Sequence, residues 1–286
     1  MYRLPGAEPI DYLLLGHLSE DVTPDGLQLG GSVAYAALTA HALGMRVGIV
    51  TSSNEDMVLG RLSDIPIVNI PSDHTTSFEN VVTKSGRTQM LLQQAEKIDY
   101  YQIPELWRQA PIVHVAPIAQ EISASILSNF DGSLLCLTPQ GWLRDWDEYG
   151  NVSSNEWPEA DYALRHGDAV VISKEDVDND PDRINEMAVS ARILVITDAK
   201  NGADLYINGE IHHVDSPVMQ EVDSTGAGDI FSAAFFVNLK GTNNPLEAAE
   251  FATRVAALSV TRAGLESIPT KDDIYDLMNE VRKVWQ

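Results

Sequence analysis

Apolar residues along this chain gather in short runs, and the spacing inside and between the runs predicts most of the elements. Residues 10–16 hold Leu13-Leu14-Leu15 without interruption and end at Gly16, the pattern of a short strand buried on both faces. Residues 47–51 and 65–70 repeat it. Four further runs, 112–116, 134–138, 169–173 and 193–197, are separated by helical or polar stretches, which predicts parallel strands joined by crossover helices. Small residues from Ser32 to Leu43 predict a helix packed closely on a sheet and ended by Gly44. Asn244-Pro245-Leu246-Glu247 supplies an N-cap, a first-turn proline and a capping acid for a helix from Pro245 to Thr261, and Thr270-Lys271-Asp272-Asp273 opens a last amphipathic helix. Two stretches alternate with period two instead. In residues 75–95, Phe78, Asn80 and Val82 run into a turn at Ser85-Gly86-Arg87 and Gln89, Leu91 and Gln93 run out of it; residues 205–207 and 211–214 flank Asn208-Gly209. Both read as hairpins. Residues 17–25 are polar and irregular, and put Asp21 just past the end of the first strand, where α/β sheets keep ligand groups. With no repeat or linker, the expectation is a single α/β domain over 1–286 with a mostly parallel sheet.

Composition narrows the partners. The chain has 286 residues, and 19 Lys+Arg stand against 42 Asp+Glu, a formal charge of -23. Such a surface repels nucleic acid and anionic membranes, so neither is expected as a partner, and an anionic substrate would need a local cation or a metal. The single cysteine, Cys136, lies in the run Leu134-Leu135-Cys136-Leu137; it excludes an internal disulfide and a zinc cluster and points to core packing. No basic region followed by an apolar segment opens the chain, and no run reaches membrane-spanning length, so the expectation is a soluble, cytoplasmic protein.

The stretch with the most chemistry is Asp223-Ser224-Thr225-Gly226-Ala227-Gly228-Asp229, followed by apolar residues at helical spacing to Leu239. Glycines opening a helix create an anion site, because unpaired N–H groups and the positive end of the dipole meet there and the ligand can approach the backbone. An acid in that first turn either complements the dipole or has a task such as taking the proton of a hydroxyl that attacks a phosphate.

The seven residues resemble the D-T-x-G-A-G-D signature of the ribokinase-like (PfkB) carbohydrate kinases, with Ser224 in place of Thr. The resemblance implies a three-layer ribokinase-like fold with a small β lid contributed by about 17–29 and 75–95. It implies ATP-dependent phosphorylation of a hydroxyl, with Asp229 as base, the N–H groups of Gly226, Ala227 and Gly228 around the transferred phosphoryl group, and Mg2+ bridging the phosphates. On the acceptor side, Asp21, Gly30 and Gly31 match family positions that contact sugar hydroxyls. Tyr35 stands where Asn is frequent, which argues against ribose, and Tyr35, Gln89 and Trp142 are expected to shape the pocket. Gln140-Gly141-Trp142-Leu143-Arg144 resembles a Q-G-x-x-R stretch of the inositol-kinase-like branch. On the donor side, Ser173 and Asp176 occupy the N-x-x-E positions that help hold magnesium, with Glu175 as the alternative acid. Thr197 and Gly202 belong to a T-x-G-x-x-G turn beneath the nucleotide, in which Ala199 replaces the first Gly. Thr225 accompanies them, and Ala252, Thr253 and Ala256 are expected to line the adenine pocket. Asp223 with the carbonyls of residues 261–264 resembles a monovalent-cation (K+) site, and lids of this family often pair into homodimers. Two alternatives stay open: a vitamin kinase acting on a hydroxymethylpyrimidine or pyridoxal-type compound, and a catalytically silent sugar- or nucleotide-binding regulator on the same fold.

Overall fold

The computed structural model describes residues 8–23, 26–83 and 86–284. In chain order the strands are β1 (Tyr12–Leu15), β2 (Ser19–Thr23), β3 (Gly26–Gly30), β4 (Val47–Ser53), β5 (Ile67–Pro71), β6 (Thr76–Thr83), β7 (Gly86–Gln93), β8 (Ile112–Val115), β9 (Leu134–Leu137), β10 (Arg144–Trp146), β11 (Val152–Ser154), β12 (Ala169–Ser173), β13 (Ile193–Thr197), β14 (Ala203–Ile207) and β15 (Glu210–Val214). The helices are α1 (Ser32–Ala42), α2 (Ala160–His166), α3 (Pro181–Ser190), α4 (Ala227–Thr242), α5 (Pro245–Ser259) and α6 (Lys271–Val284).

Among the described residues, nine strands form the central sheet in the order β15-β14-β13-β12-β9-β8-β1-β4-β5. Pairing is parallel from β13 to β5, and the two strands at the far edge are antiparallel. The continuous apolar runs are explained by two-sided burial. Along β1, Tyr12 and Leu14 face one core, shared with α1, α4 and α5, while Leu13 and Leu15 face a second core shared with α2 and α3. Strand order reverses beside β1: the chain first moves out through β4 and β5, then returns to place β8 on its other side. Ligands of open α/β sheets bind at such a reversal, beyond the carboxyl ends of the strands. The crossover between β8 and β9 contains a 3-10 helix, Ala124–Asn129, rather than an α-helix.

A second sheet of four strands, β3-β2-β6-β7, rises from those carboxyl ends. Residues 17–25, expected to be irregular, include a strand instead: β2 pairs antiparallel with β3 and parallel with β6. Their alternation is masked in the sequence because charged and polar residues fill both faces. Asp21 therefore stands within a strand and not in a loop. The hairpin over 75–95 is present as β6 and β7, while part of its expected turn, Ser85, lies outside the described residues. No described helix is long and apolar enough to cross a membrane.

The turn from β13 to β14 carries two left-handed residues, Ala199 (φ 44) and Gly202 (φ 96). A Cβ on Gly202 would lie 1.9 Å from the Val214 carbonyl oxygen, so only glycine fits. At Ala199 the cost is conformational alone, since a residue with a Cβ pays to sit left-handed. Ala199→Gly is expected to raise stability by about 0.5–1 kcal/mol and Gly202→Ala to lower it by at least ~2 kcal/mol, read from urea unfolding midpoints.

Candidate active site

Helix α4 opens the site. Its N-cap, Gly226, is left-handed (φ 77), and a Cβ there would lie 2.2 Å from the Tyr35 ring. Tyr35 is 5% exposed and forms the floor beneath the glycine turn. Above Gly228 nothing lies within 4 Å of a built Cβ, which leaves the face of the turn open to a ligand. Asp223 anchors the turn from behind: its carboxyl accepts the Thr225 N–H and the Gly264 N–H, both at 2.9 Å. Those bonds draw residues 261–264 against the loop and make Asp223 a clamp, apart from the acid at residue 176.

Asp229, in the first turn of α4, retains partial contact with solvent but sits deep among protein atoms. Burial pushes its carboxyl up to about 6; a hydrogen bond from the Ser32 side chain works against that, the negative charge of Asp176 adds to it, and the Arg144 guanidinium opposes it. Ser32 is the first residue of α1, directly after Gly30 and Gly31, and is itself buried. Sequence reasoning missed it, because a serine opening a helix looks like ordinary helix chemistry.

Asp176 sits in the 3-10 turn Lys174–Val177 that follows β12. Its Oδ1 accepts from Gln140 Nε2 (3.2 Å) and lies 3.9 Å from Arg144 Nη2; its Oδ2 accepts from the Ser173 N–H (3.3 Å). Ser173 in turn caps the turn by accepting the Glu175 N–H at 3.2 Å. The substituted pair thus keeps a working turn. Glu175 is exposed, and it is Asp176 that meets Gln140 and Arg144. Gly141 explains why Gln140 and Arg144 can lie here: a Cβ on it would come within 2.6 Å of the Ile118 backbone nitrogen, so the loop after β9 packs against that backbone. Trp142, expected at the pocket, instead stacks on Trp157 in the core and donates its indole N–H to the Ile122 carbonyl at 2.7 Å.

The four-stranded sheet supplies the other wall. Asp21 pairs with Gln28 and Phe78, Phe78 with Leu91, and Asn80 with Gln89, so these residues share one face. Phe78 and Leu91 pack on Ile118 and Ala119, which turns that face toward the main body. On it, Gln89 Nε2 donates to Asn80 Oδ1 at 3.0 Å, and the Ser19 hydroxyl donates to Asp21 at 3.2 Å. A Cβ on Gly30 would lie 2.7 Å from the Asp21 carboxyl, and one on Gly31 would lie 2.8 Å from the His17 carbonyl, so both glycines make room.

Beyond β12 and β13 lies the remaining segment. Thr197 ends β13, with its hydroxyl directed at the Ile172 carbonyl (3.5 Å), and Lys174 pairs with Asp198 at 2.8 Å. Of the three α5 residues expected around a base, Ala252 is fully buried in the core and Thr253 spends its hydroxyl on the Ala249 carbonyl (2.7 Å); Ala256 alone keeps surface.

Three comparisons bear on this arrangement. Residues 167–271 match the family model described as pfkB family carbohydrate kinase. A cytidine kinase of Thermococcus kodakarensis is 26% identical over 83% of this chain and 91% of its own. Among solved structures, a pyrophosphate-dependent kinase of the ribokinase family complexed with a pyrophosphate analog and myo-inositol superposes with a TM-score of 0.79 at 20% identity, over 93% of this chain and 99% of that one. Arabidopsis thaliana ribokinase complexed with ribose and ATP gives 0.74 at 19% identity, over 95% and 99%. Fold, family match and kinase relatives agree: the chain is similar to the ribokinase-like pfkB carbohydrate kinases, with that family's model matched over residues 167–271.

Proposed function

We propose that the protein is an ATP-dependent kinase that phosphorylates a hydroxyl of a sugar, polyol or nucleoside, with Asp229 as the base that takes the hydroxyl proton. The observation that carries the reading is the situation of Asp229: a half-buried carboxyl with a raised pKa, at the positive end of α4, beside an open glycine turn and within the field of one guanidinium. A base near 6 is largely ionised at neutral pH and still accepts a proton more readily than an ordinary aspartate. The N–H groups of Gly226 and Gly228, joined by that of Ala227 once it releases the Ser224 carbonyl to which it donates at 3.1 Å, receive the charge on the transferred phosphoryl group, and Arg144 supplies the local cation that a chain of charge -23 needs there.

Magnesium, which the family implies, would rest on Asp176 and on the donor phosphates, and would offset the phosphate charge during transfer. The described residues contain no group of three His, Cys, Asp or Glu able to hold a metal, which fits an ion bound mostly by phosphates and water rather than by a protein cage. A potassium ion, if used, belongs behind the glycine turn, where Asp223 holds residues 261–264. On the acceptor side Asp21, Gly30, Gly31, Asn80 and Gln89 offer hydrogen bonds and space, a lining suited to hydroxyl groups, and the four-stranded sheet acts as a lid over them.

A second reading concerns the donor. With Ala252 and Thr253 inside the core, little of the expected adenine lining is at the surface, which favours a donor that makes few demands on a base; pyrophosphate is such a donor.

The test is magnesium-dependent phosphoryl transfer from ATP and, separately, from pyrophosphate, to a panel of pentoses, hexoses, inositols and nucleosides. Turnover with one acceptor class supports the kinase and names its substrate; silence with both donors defeats the reading. Asp229→Asn is expected to lower kcat by about a hundredfold to ten-thousandfold with donor affinity retained in calorimetry. In the wild type, kcat/KM is expected to fall on the acid side with a midpoint near pH 6, as Asp229 takes up its proton.

The same carboxyl has a stability consequence of definite sign. Its folded pKa is raised above the unfolded value of 3.8, so the contribution to stability is fully present below pH 3.8 and is lost as pH rises through about 6. Asp229→Asn is therefore expected to raise the unfolding temperature at pH 8, by the equivalent of about 1–3 kcal/mol, and to change it little at pH 4. An equal shift at both pH values would contradict the burial of the charge.

A further inference from the structure

A buried acid outside the site draws the two walls of that site together. Glu121 is completely buried, and its carboxyl group accepts backbone N–H groups from two segments: His17 (2.9 Å), and Ile118 (3.0 Å to each oxygen) with Ala119 (2.7 Å). His17 lies between β1 and β2, at the root of the four-stranded sheet, and its ring continues the seam. Its Nδ1 meets the Thr76 hydroxyl at 2.7 Å at the start of β6, and its Nε2 meets the Glu96 carbonyl at 2.8 Å just past β7. Thr76 Oγ1 also accepts the Ala95 N–H at 3.0 Å. Three roots of the sheet, the one entering β2, the one entering β6 and the one leaving β7, therefore meet at His17, which Glu121 ties to the segment at residues 117–121.

The other end of that segment reaches the cation of the site. Gln120 is left-handed (φ 56), a conformation that is strained for a residue with a side chain. Its side chain donates from Nε2 to the Arg144 carbonyl at 2.6 Å, and the Gly141 N–H donates to the Pro117 carbonyl at 2.7 Å. Ile118 and Ala119 meanwhile pack on Phe78 and Leu91 of the sheet. A single five-residue segment thus touches the acceptor wall on one side and the backbone of Arg144 on the other.

We infer that residues 117–121 couple the position of the four-stranded sheet to the position of Arg144, with Glu121 and Gln120 as the two positioning residues. Glu121 fixes the root of the sheet, Gln120 holds the backbone from which the Arg144 side chain extends, and the shared segment makes a displacement of either felt by the other. The kinetic consequence rests on the kinase reading above; the structural one does not.

The structural arm is hydrogen exchange of the free protein. Glu121→Gln replaces one accepting oxygen with an NH2 group facing backbone donors, and is expected to speed exchange about tenfold or more both at residues 16–19 and at residues 144–146, with β13 and β14 unchanged. Faster exchange confined to residues 117–121, or acceleration throughout the chain, would overturn the inference. Gln120→Gly relieves the left-handed backbone while removing the tether, so it folds without added strain. It is expected to speed exchange at residues 144–146 and to leave residues 16–19 within about twofold of wild type; no change at 144–146 would overturn it.

The kinetic arm is a double-mutant cycle. Glu121→Gln is expected to raise the acceptor KM and to lower kcat about tenfold in the wild-type background, and to lower kcat less than about twofold in an Arg144→Ala background. Equal factors in the two backgrounds would mean that Glu121 does not act through Arg144. If Asp229→Asn retained full turnover, the assignment of the base would fail while the exchange result still decided the coupling.

Discussion

One carboxyl group is held deep among protein atoms, with only partial contact with water, at the positive end of a helix, and much of the fold is arranged around that unfavourable placement. Burial alone would push Asp229 toward its neutral form. The Ser32 side chain and the Arg144 guanidinium restore part of the ionised population, and Asp176 takes some of it away. Those groups come from α1, from the start of β10, and from the turn after β12, so their balance requires the central sheet to deliver its carboxyl ends to one place. Tyr35 under Gly226 and the Asp223 clamp behind it hold the glycine turn against the same sheet.

The overall charge sharpens the problem. A chain at -23 repels the phosphates it is read as handling, and its positive groups near the site are few. Lys174 is committed to Asp198, whereas Arg144 lies at 3.9 Å from Asp176, looser than a close ion pair. Its guanidinium stands within the field of both Asp176 and Asp229. Its position is then worth controlling through its backbone, which is where Gln120 makes its bond.

The sequence made the layered core legible because strands buried on both faces appear as unbroken apolar runs: β12 and β13 coincide with the runs at 169–173 and 193–197. The glycine turn was legible as the start of a helix, since glycines followed by apolar residues at helical spacing mark such a start, and α4 does begin at Ala227 with Asp229 in its first turn. Residues 19–23 were opaque, since Glu20 and Asp21 fall on opposite faces of a strand whose two sides are both polar. Trp142 misled for the opposite reason: an aromatic in a loop after a strand end suits a pocket, and only the stacking on Trp157 reveals that it is core. Ser32, Gln120 and Glu121 carry no local signature at all. Their roles exist only between segments distant in sequence, as with the bond from His17 to Glu121, and no spacing rule reports on that.

The packing of α1 has a bearing on how the chain is made. Nine of its eleven residues are buried, and much of that burial is against α4, which begins nearly two hundred residues later. During synthesis, an apolar helix completed early must wait for partners that leave the ribosome late. The opposite layer is different, for its strands and helices from β8 to α3 follow one another in sequence and can consolidate as they emerge. The nascent protein thus has a natural order of assembly, far layer first and catalytic layer last, with α1 as the surface most in need of chaperone protection in the interval.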